Sequence, residues 1–375
     1  MNWDVIRVVA ILFVVSGHVT NLAPSLPGIE GYPFTLSVPF GTVTLLVLSG
    51  YFIAPTIRRR ETGRWLRARL ARLLPAYLVA LLVVYLITRW AVVGFNGWHH
   101  EPGVLGILAA DPVAPAGAAE HTRWPVPDLG DLLASILLVH EWDTEFFTRI
   151  DNSYWTLPIQ VAAFTGTALL WRSRFRRVSP PVVLWTVLGI SAACPILSLL
   201  VTSLPTASGL YYAHLFAAGV AIWLWGQHRL RTAQLLPMLL LSVILHAFRT
   251  GSPQLASVIG FTIMLGLICA AARGPDWNLR VLRALRRPIT WLAGISYCLY
   301  LVHQQLGYII ARALSDAGIS SGWLRLTLVL AAVILAAWLL TVLVERPAYR
   351  RLARRPAART AVSPDRPATP AEARA

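Results

Sequence analysis

Stretches of about 20 apolar residues recur from residue 5 to residue 344, separated by polar punctuation, and this constrains the chain more than any other feature. Twenty helical residues rise about 30 Å, the thickness of a bilayer's hydrocarbon core, where only helices or closed barrels satisfy the backbone. Barrel strands alternate apolar and polar residues, and these runs do not. The sequence therefore predicts an all-α, polytopic membrane bundle with spans near 4–23, 36–57, 73–92, 153–171, 181–203, 210–226, 235–249, 253–272, 289–312 and 323–344, ten transmembrane helices. With 13% charged residues and a mean hydropathy of +0.61, against roughly 25% charged in ordinary domains, the chain is excluded as a soluble globular enzyme.

The formal net charge is +16 and every basic side chain is Arg. In a soluble domain that excess would point to nucleic acid, but here the arginines sit between apolar runs and report topology, so no nucleic-acid partner is expected. Seven lie in 58–72, four in 172–179, five in 273–288 and eight from 346 onward, while 24–35 and 203–209 hold none. The positive-inside rule then puts both termini in the cytoplasm of a multi-pass cell-membrane protein. Counting 131–142 as a span would move Arg172 and Arg177 outside, so it is read as an outer-face or re-entrant helix within the long outer loop 93–152. Long ordered loops are more often functional than linking.

The start has neither a basic n-region nor a cleavage site, so the first span is expected to be retained. Residues 1–350 form the expected membrane domain and 351–375, rich in Pro, Ala and Arg, a disordered basic cytoplasmic tail. Cys194, Cys269 and Cys298 show no metal or disulfide spacing, and no metal is expected.

In the first span Arg7 and His18 are eleven residues apart. Eleven steps of 100° return to within about 20° of the start, and the rise is about 16 Å, so both project from one face. Ionisable residues inside spans face an interior or aqueous cavity and are functional by default. The plainer alternative makes Arg7 an anchor paired with Asp4 and His18 an interhelical contact.

At this point the chain resembles the membrane-bound acyltransferase-3 family, whose first helix carries Arg, ten residues, then His. The likeness continues through LLVLSGYFI (45–53), WLRARLARLLPAY (65–77), NSYWTLPIQ (152–160), ISYCLYLVH (295–303) and VERPAYR (344–350), in family order. It implies transfer of an acyl group, usually acetyl, from acyl-CoA to a hydroxyl or amine on a glycan, lipid or natural product. Two positions depart from the family pattern: Gln160 stands where the family usually has Glu, and Leu46, Val47 and Leu48 replace an aromatic pair.

Acyl transfer needs a base for the acceptor proton, and His suits that task near pH 7; His18 is the expected catalytic residue. A pantetheine arm is comparable in length to the Arg7–His18 rise. Arg7, with Arg67, Arg69 and Arg72 at the cytoplasmic mouth of the third span, is expected to hold the phosphates of acyl-CoA, the co-substrate, because guanidinium donates to them bidentately. The alternative for the last three is topology and binding of membrane-lipid headgroups. Ser296, Tyr300 and His303 share one helical stripe, with Tyr297 beside it. Tyr297 and His303 are expected to line the pocket, and Trp155 and Gln160 to contact the acceptor, although Trp155 equally suits an interfacial belt.

His140, Glu141, Asp143 and Glu145 read as a solvated loop edge, His214 and His246 as satisfied contacts, and His99, His100 and Glu101 lack a third metal ligand. The rival function is a ten-span secondary transporter. Against it stand the absence of an internal repeat and the shortage of intramembrane carboxylates. A structural, acyltransferase-like remnant is a third reading, kept open by Gln160.

Overall fold

The computed structural model describes residues 1–59, 61–115, 124–143, 146–173, 177–200, 209–249 and 254–353. Its elements in order are α1 (Asn2–Gly17), α2 (Gly41–Ile57), α3 (Thr62–Phe95), α4 (Val104–Leu108), α5 (Leu129–Ile136), α6 (Thr156–Arg172), α7 (Pro180–Leu200), α8 (Ala213–Gly226), α9 (Thr232–Arg249), α10 (Leu255–Arg273), α11 (Arg280–Ala284), α12 (Arg286–Val302), α13 (Gln305–Asp316), α14 (Gly322–Leu340) and α15 (Arg346–Leu352). Two π-helical turns continue helices, His18–Leu22 after α1 and Thr341–Glu345 after α14. The protein is all helical among the described residues, apart from one bridge between His99 and Val113.

Five helical stretches are long and apolar enough to cross a membrane: Asn2–Ser25, Thr62–Phe95, Thr232–Arg249, Leu255–Arg273 and Gly322–Leu352. Shorter apolar helices at 41–57, 180–196 and 213–226 accompany them. With α6 and the α12–α13 pair, the set is compatible with ten passes. Outward faces are aliphatic and aromatic, as at Trp90, Phe248, Leu240 and Leu343, which suits lipid and not water.

Several expectations need correction. The arginine-rich stretch 58–72, expected as a loop, is helical from Thr62, because Ala, Leu and Arg are among the strongest helix formers. It makes α3 34 residues long, about 51 Å at 1.5 Å per residue. The ninth expected span, 289–312, is two helices interrupted at His303 and Gln304. α15 runs to Leu352, past the expected domain boundary at 350, while 354–375 lie outside the described residues. α5 has only eight residues, about 12 Å against a 30 Å core. Its start is a capping box, in which Asp128 accepts from Asp131 N at 2.7 Å and Asp131 from Asp128 N at 2.9 Å.

The core has two apolar clusters. One gathers α2, α6, α8, α9 and α10 with the start of α1; the other gathers the rest of α1, α3, α12, α13, α14 and the loop residues Trp124, Ile150 and Tyr154. Gly50 explains part of the SG motif: a Cβ there would lie 2.4 Å from the Phe216 carbonyl oxygen, and one at Gly219 would lie 2.1 Å from that of Val47. Small residues let the α2 and α8 backbones meet where van der Waals contact holds membrane helices together. Leu45 and Tyr297 pack against both clusters. The seam they mark is where a cavity lies.

Candidate active site

The cavity measures about 490 Å³ and is lined from α1, α2, α3, α6, α12 and α15. That falls within the roughly 300–1,000 Å³ typical of small-molecule sites. Arg7, Arg59, Arg69 and Arg72 supply cations, and Thr156, Gln160, Ser296, Tyr297 and Tyr300 supply neutral polar groups. The expected site residues Arg7, Arg69, Arg72, Gln160 and Tyr297 therefore share one cavity.

The four guanidiniums differ in their commitments. Arg69 donates to the Phe52 carbonyl at 2.6 Å and to Thr56 Oγ1 at 2.7 Å, tying α3 to α2. Arg72 sits 3.6 Å from Glu345, whose other carboxylate oxygen accepts from Cys298 Sγ at 3.3 Å. Arg7 does not pair with Asp4, which takes the Thr290 hydroxyl at 3.4 Å, and has no ion-pair partner among the described residues. Arg59 was not anticipated, because in an Arg-Arg-Arg run no periodicity distinguishes one residue from the next. Arg67 is exposed and outside the cavity lining.

Tyr297 donates to the Leu73 carbonyl at 2.7 Å, joining α12 to α3. Trp155 packs on Tyr212, ring centroids 4.8 Å apart, also outside the lining. The two expected histidines come together: His18 Nδ1 lies 2.8 Å from His303 Nε2, with rings inclined by 8°. Neither belongs to the cavity lining. Tyr300 connects the two places, since it lines the cavity and its ring lies 5.7 Å from that of His303.

The α12–α13 interruption exposes backbone groups that a membrane interior requires to be paired. Tyr154 donates to the Leu301 carbonyl at 3.0 Å, Ser153 Oγ lies 3.2 Å from that of Tyr300, and Asp151 accepts from Gln305 N at 3.0 Å. Asp151 also takes Ser153 N at 2.8 Å and Ser153 Oγ at 2.5 Å. It thus secures backbone and does not contact either histidine. Spacing along the sequence gives no hint of this arrangement, because the partners are about 150 residues apart.

The outer-loop cluster also needs correction. His140 and Glu141 are buried, not a solvated edge, and Arg149 grips Glu141 with both oxygens at 2.5 and 2.7 Å. Asp143 is exposed, and Glu145 lies outside the described residues. His214 meets Ser191 Oγ at 3.0 Å and His246 meets Ser257 Oγ at 3.0 Å, as satisfied contacts.

The arrangement combines an arginine-lined cavity, a histidine pair joined to it by Tyr300, and an apolar helical bundle. Comparison with known proteins decides the family: the acyltransferase-3 model, described as an acyltransferase domain, matches residues 2–342. The chain belongs to the acyltransferase-3 family. It is therefore a membrane acyltransferase, and the transporter reading is set aside. Among characterised proteins it is 27% identical over 363 residues to the acyltransferase MdmB of Streptomyces mycarofaciens, covering 85% of this chain and 82% of that protein. No solved structure matches.

Proposed function

We propose that this membrane acyltransferase takes an acyl group, acetyl first among them, from cytoplasmic acyl-CoA and places it on a hydroxyl of a glycan, lipid or natural product. Both termini then face the cytoplasm of the cell membrane, which puts the Arg7, Arg59, Arg69 and Arg72 end of the cavity in contact with the donor. The observation that carries this reading is a cavity with four guanidiniums, of which Arg7 and Arg59 have no ion-pair partner among the described residues, that reaches Tyr300 beside the histidine pair. Guanidinium forks suit phosphates, and the neutral polar groups of Thr156, Gln160, Ser296, Tyr297 and Tyr300 suit the amides of the pantetheine arm.

In the reaction His18 takes the proton of the acceptor hydroxyl as its oxygen attacks the thioester carbonyl. The carbon–sulfur bond breaks, and the departing CoA thiolate recovers the proton from His18. Base catalysis of this kind contributes about 10²–10⁴ in rate. Gln160, within the same cavity, orients a polar group by hydrogen bonding without adding charge.

The test uses purified full-length protein with radiolabelled acetyl-CoA, offered cell-envelope glycans, lipids and hydroxylated natural products. Label should move to one acceptor class, and His18→Ala should lose transfer by about 10²-fold or more while keeping wild-type thermal unfolding. Full activity of His18→Ala would overturn the mechanism.

A further inference from the structure

The geometry points to His303 as a positioning residue that fixes the tautomer of His18. This rests on the reading of His18 as the base, and it follows from donor and acceptor chemistry along one chain of contacts.

His303 Nδ1 lies 2.9 Å from the Tyr300 carbonyl oxygen. A carbonyl only accepts, so Nδ1 carries the hydrogen. In the neutral ring the other nitrogen, Nε2, then holds a lone pair. That nitrogen is 2.8 Å from His18 Nδ1, so His18 carries its hydrogen on Nδ1 and presents an unprotonated Nε2. Free histidine favours the opposite arrangement, with the hydrogen on Nε2. The pair therefore holds His18 in the less favoured tautomer, the one whose Nε2 is ready to receive a proton from an acceptor hydroxyl.

The support beneath His303 is built for this. The ring is fully buried and sits at the α12–α13 interruption, where the Tyr300 carbonyl is turned toward side chains, with Ser153 Oγ 3.2 Å away and Asp151 securing Ser153 and Gln305 N. Orientation of a functional imidazole by a hydrogen bond to its other nitrogen is a recurring device. In the Ser–His–Asp triad the orienting partner is a carboxylate. Here it is a neutral imidazole held by a backbone carbonyl. Once His18 accepts a proton, its Nδ1–H bond to His303 becomes charge-assisted and stronger. No proton passes beyond His303, because its Nδ1 faces only the Tyr300 carbonyl.

The primary measurement is made on the wild-type protein: ¹⁵N-histidine NMR in detergent, with His18→Asn identifying the His18 signals. A protonated Nδ1 and a lone-pair Nε2 are expected, and the reverse pattern would overturn the inference without any variant having to fold. Two variants extend the test. His303→Leu removes the acceptor and should lower kcat by about 10²-fold, part of the base's contribution, leave KM for acyl-CoA within about 2-fold and return His18 to the Nε2–H form. His303→Gln keeps an acceptor oxygen near the Nε2 position and should stay within about 10-fold of wild type. Equal losses in Leu and Gln, or a raised KM with unchanged kcat, would overturn the positioning role. If His18→Ala is inactive while His303→Leu is fully active, this inference fails and the functional reading stands; if His18→Ala is fully active, both fail.

Discussion

The two ends of the bundle use arginine in opposite ways. At the end opposite Met1, Arg89, Arg149, Arg312 and Arg325 are occupied by structure. Arg89, 1% exposed in the C-terminal half of α3, donates to the carbonyls of Ile107 at 2.6 Å, Pro127 at 2.7 Å and Ala110. Arg325 is buried against Glu30 and the Gly31 and Ile319 carbonyls, Arg312 pairs with Asp316 at 2.9 Å, and Arg149 grips Glu141. At the Met1 end Arg69 is committed in the same way, to the Phe52 carbonyl and Thr56, but Arg7 and Arg59 face the cavity and Arg72 holds only a 3.6 Å contact to Glu345. The same side chain closes backbone in one region and remains available to an anion in the other. What separates them is how many of the five guanidinium donors carbonyls and carboxylates already take.

That contrast should separate stability from binding by mutation. The largest expected effect is at the far end. Arg89→Leu removes three hydrogen bonds from buried carbonyls, each costing about 1–3 kcal/mol when orphaned, so the protein should lose on the order of 3 kcal/mol or more and residues 104–110 and 129–136 should lose hydrogen-exchange protection. Molecules that remain folded should bind acyl-CoA with wild-type affinity. Weakened binding with unchanged unfolding would break the comparison.

The next effect is smaller and opposite in kind. Arg7→Lys keeps the charge and loses the fork, so acyl-CoA affinity by calorimetry should fall about 10-fold, about 1.4 kcal/mol, with thermal unfolding unmoved. Unchanged affinity would make Arg7 an anchor only. Last comes a test with no energetic effect, which sharpens the comparison by assigning each end to a side of the membrane. Thr62→Cys should be shielded from an impermeant thiol reagent in intact cells, and Pro115→Cys should label. Labelling at 62 would turn the bundle over and place the arginine cavity away from cytoplasmic acyl-CoA.

Much of the architecture was legible because membrane helices advertise themselves through apolar length. The cavity residues Arg7, Arg69, Arg72, Gln160 and Tyr297 were legible through motif and charge. What escaped has a physical reason in each case. Helical arithmetic placed His18 on the Arg7 face, but α1 ends at Gly17, and the π-turn beginning at His18 accompanies a contact to His303 and not to the cavity. The interruption after Val302 carries no proline or glycine, and the groups that satisfy it come from 151–154. Arg89 was hidden inside an expected span because its partners are carbonyls, which every residue possesses.

The two π-helical turns carry a consequence for insertions and deletions. A π-turn closes with i→i+5 hydrogen bonds where an α-turn uses i→i+4, so it holds one extra residue within an otherwise continuous helix. One begins at His18 and the other ends at Glu345, which contacts Arg72. Removing one of Val19, Thr20 or Asn21 lets the turn close with α geometry and keeps the segments on either side near their present phase, whereas removing one residue from within Asn2–Gly17 turns the two parts of the span by about 100° relative to each other. Length is therefore the quantity under constraint within α1, and the π-turn beyond it is where the span can absorb the loss of one residue.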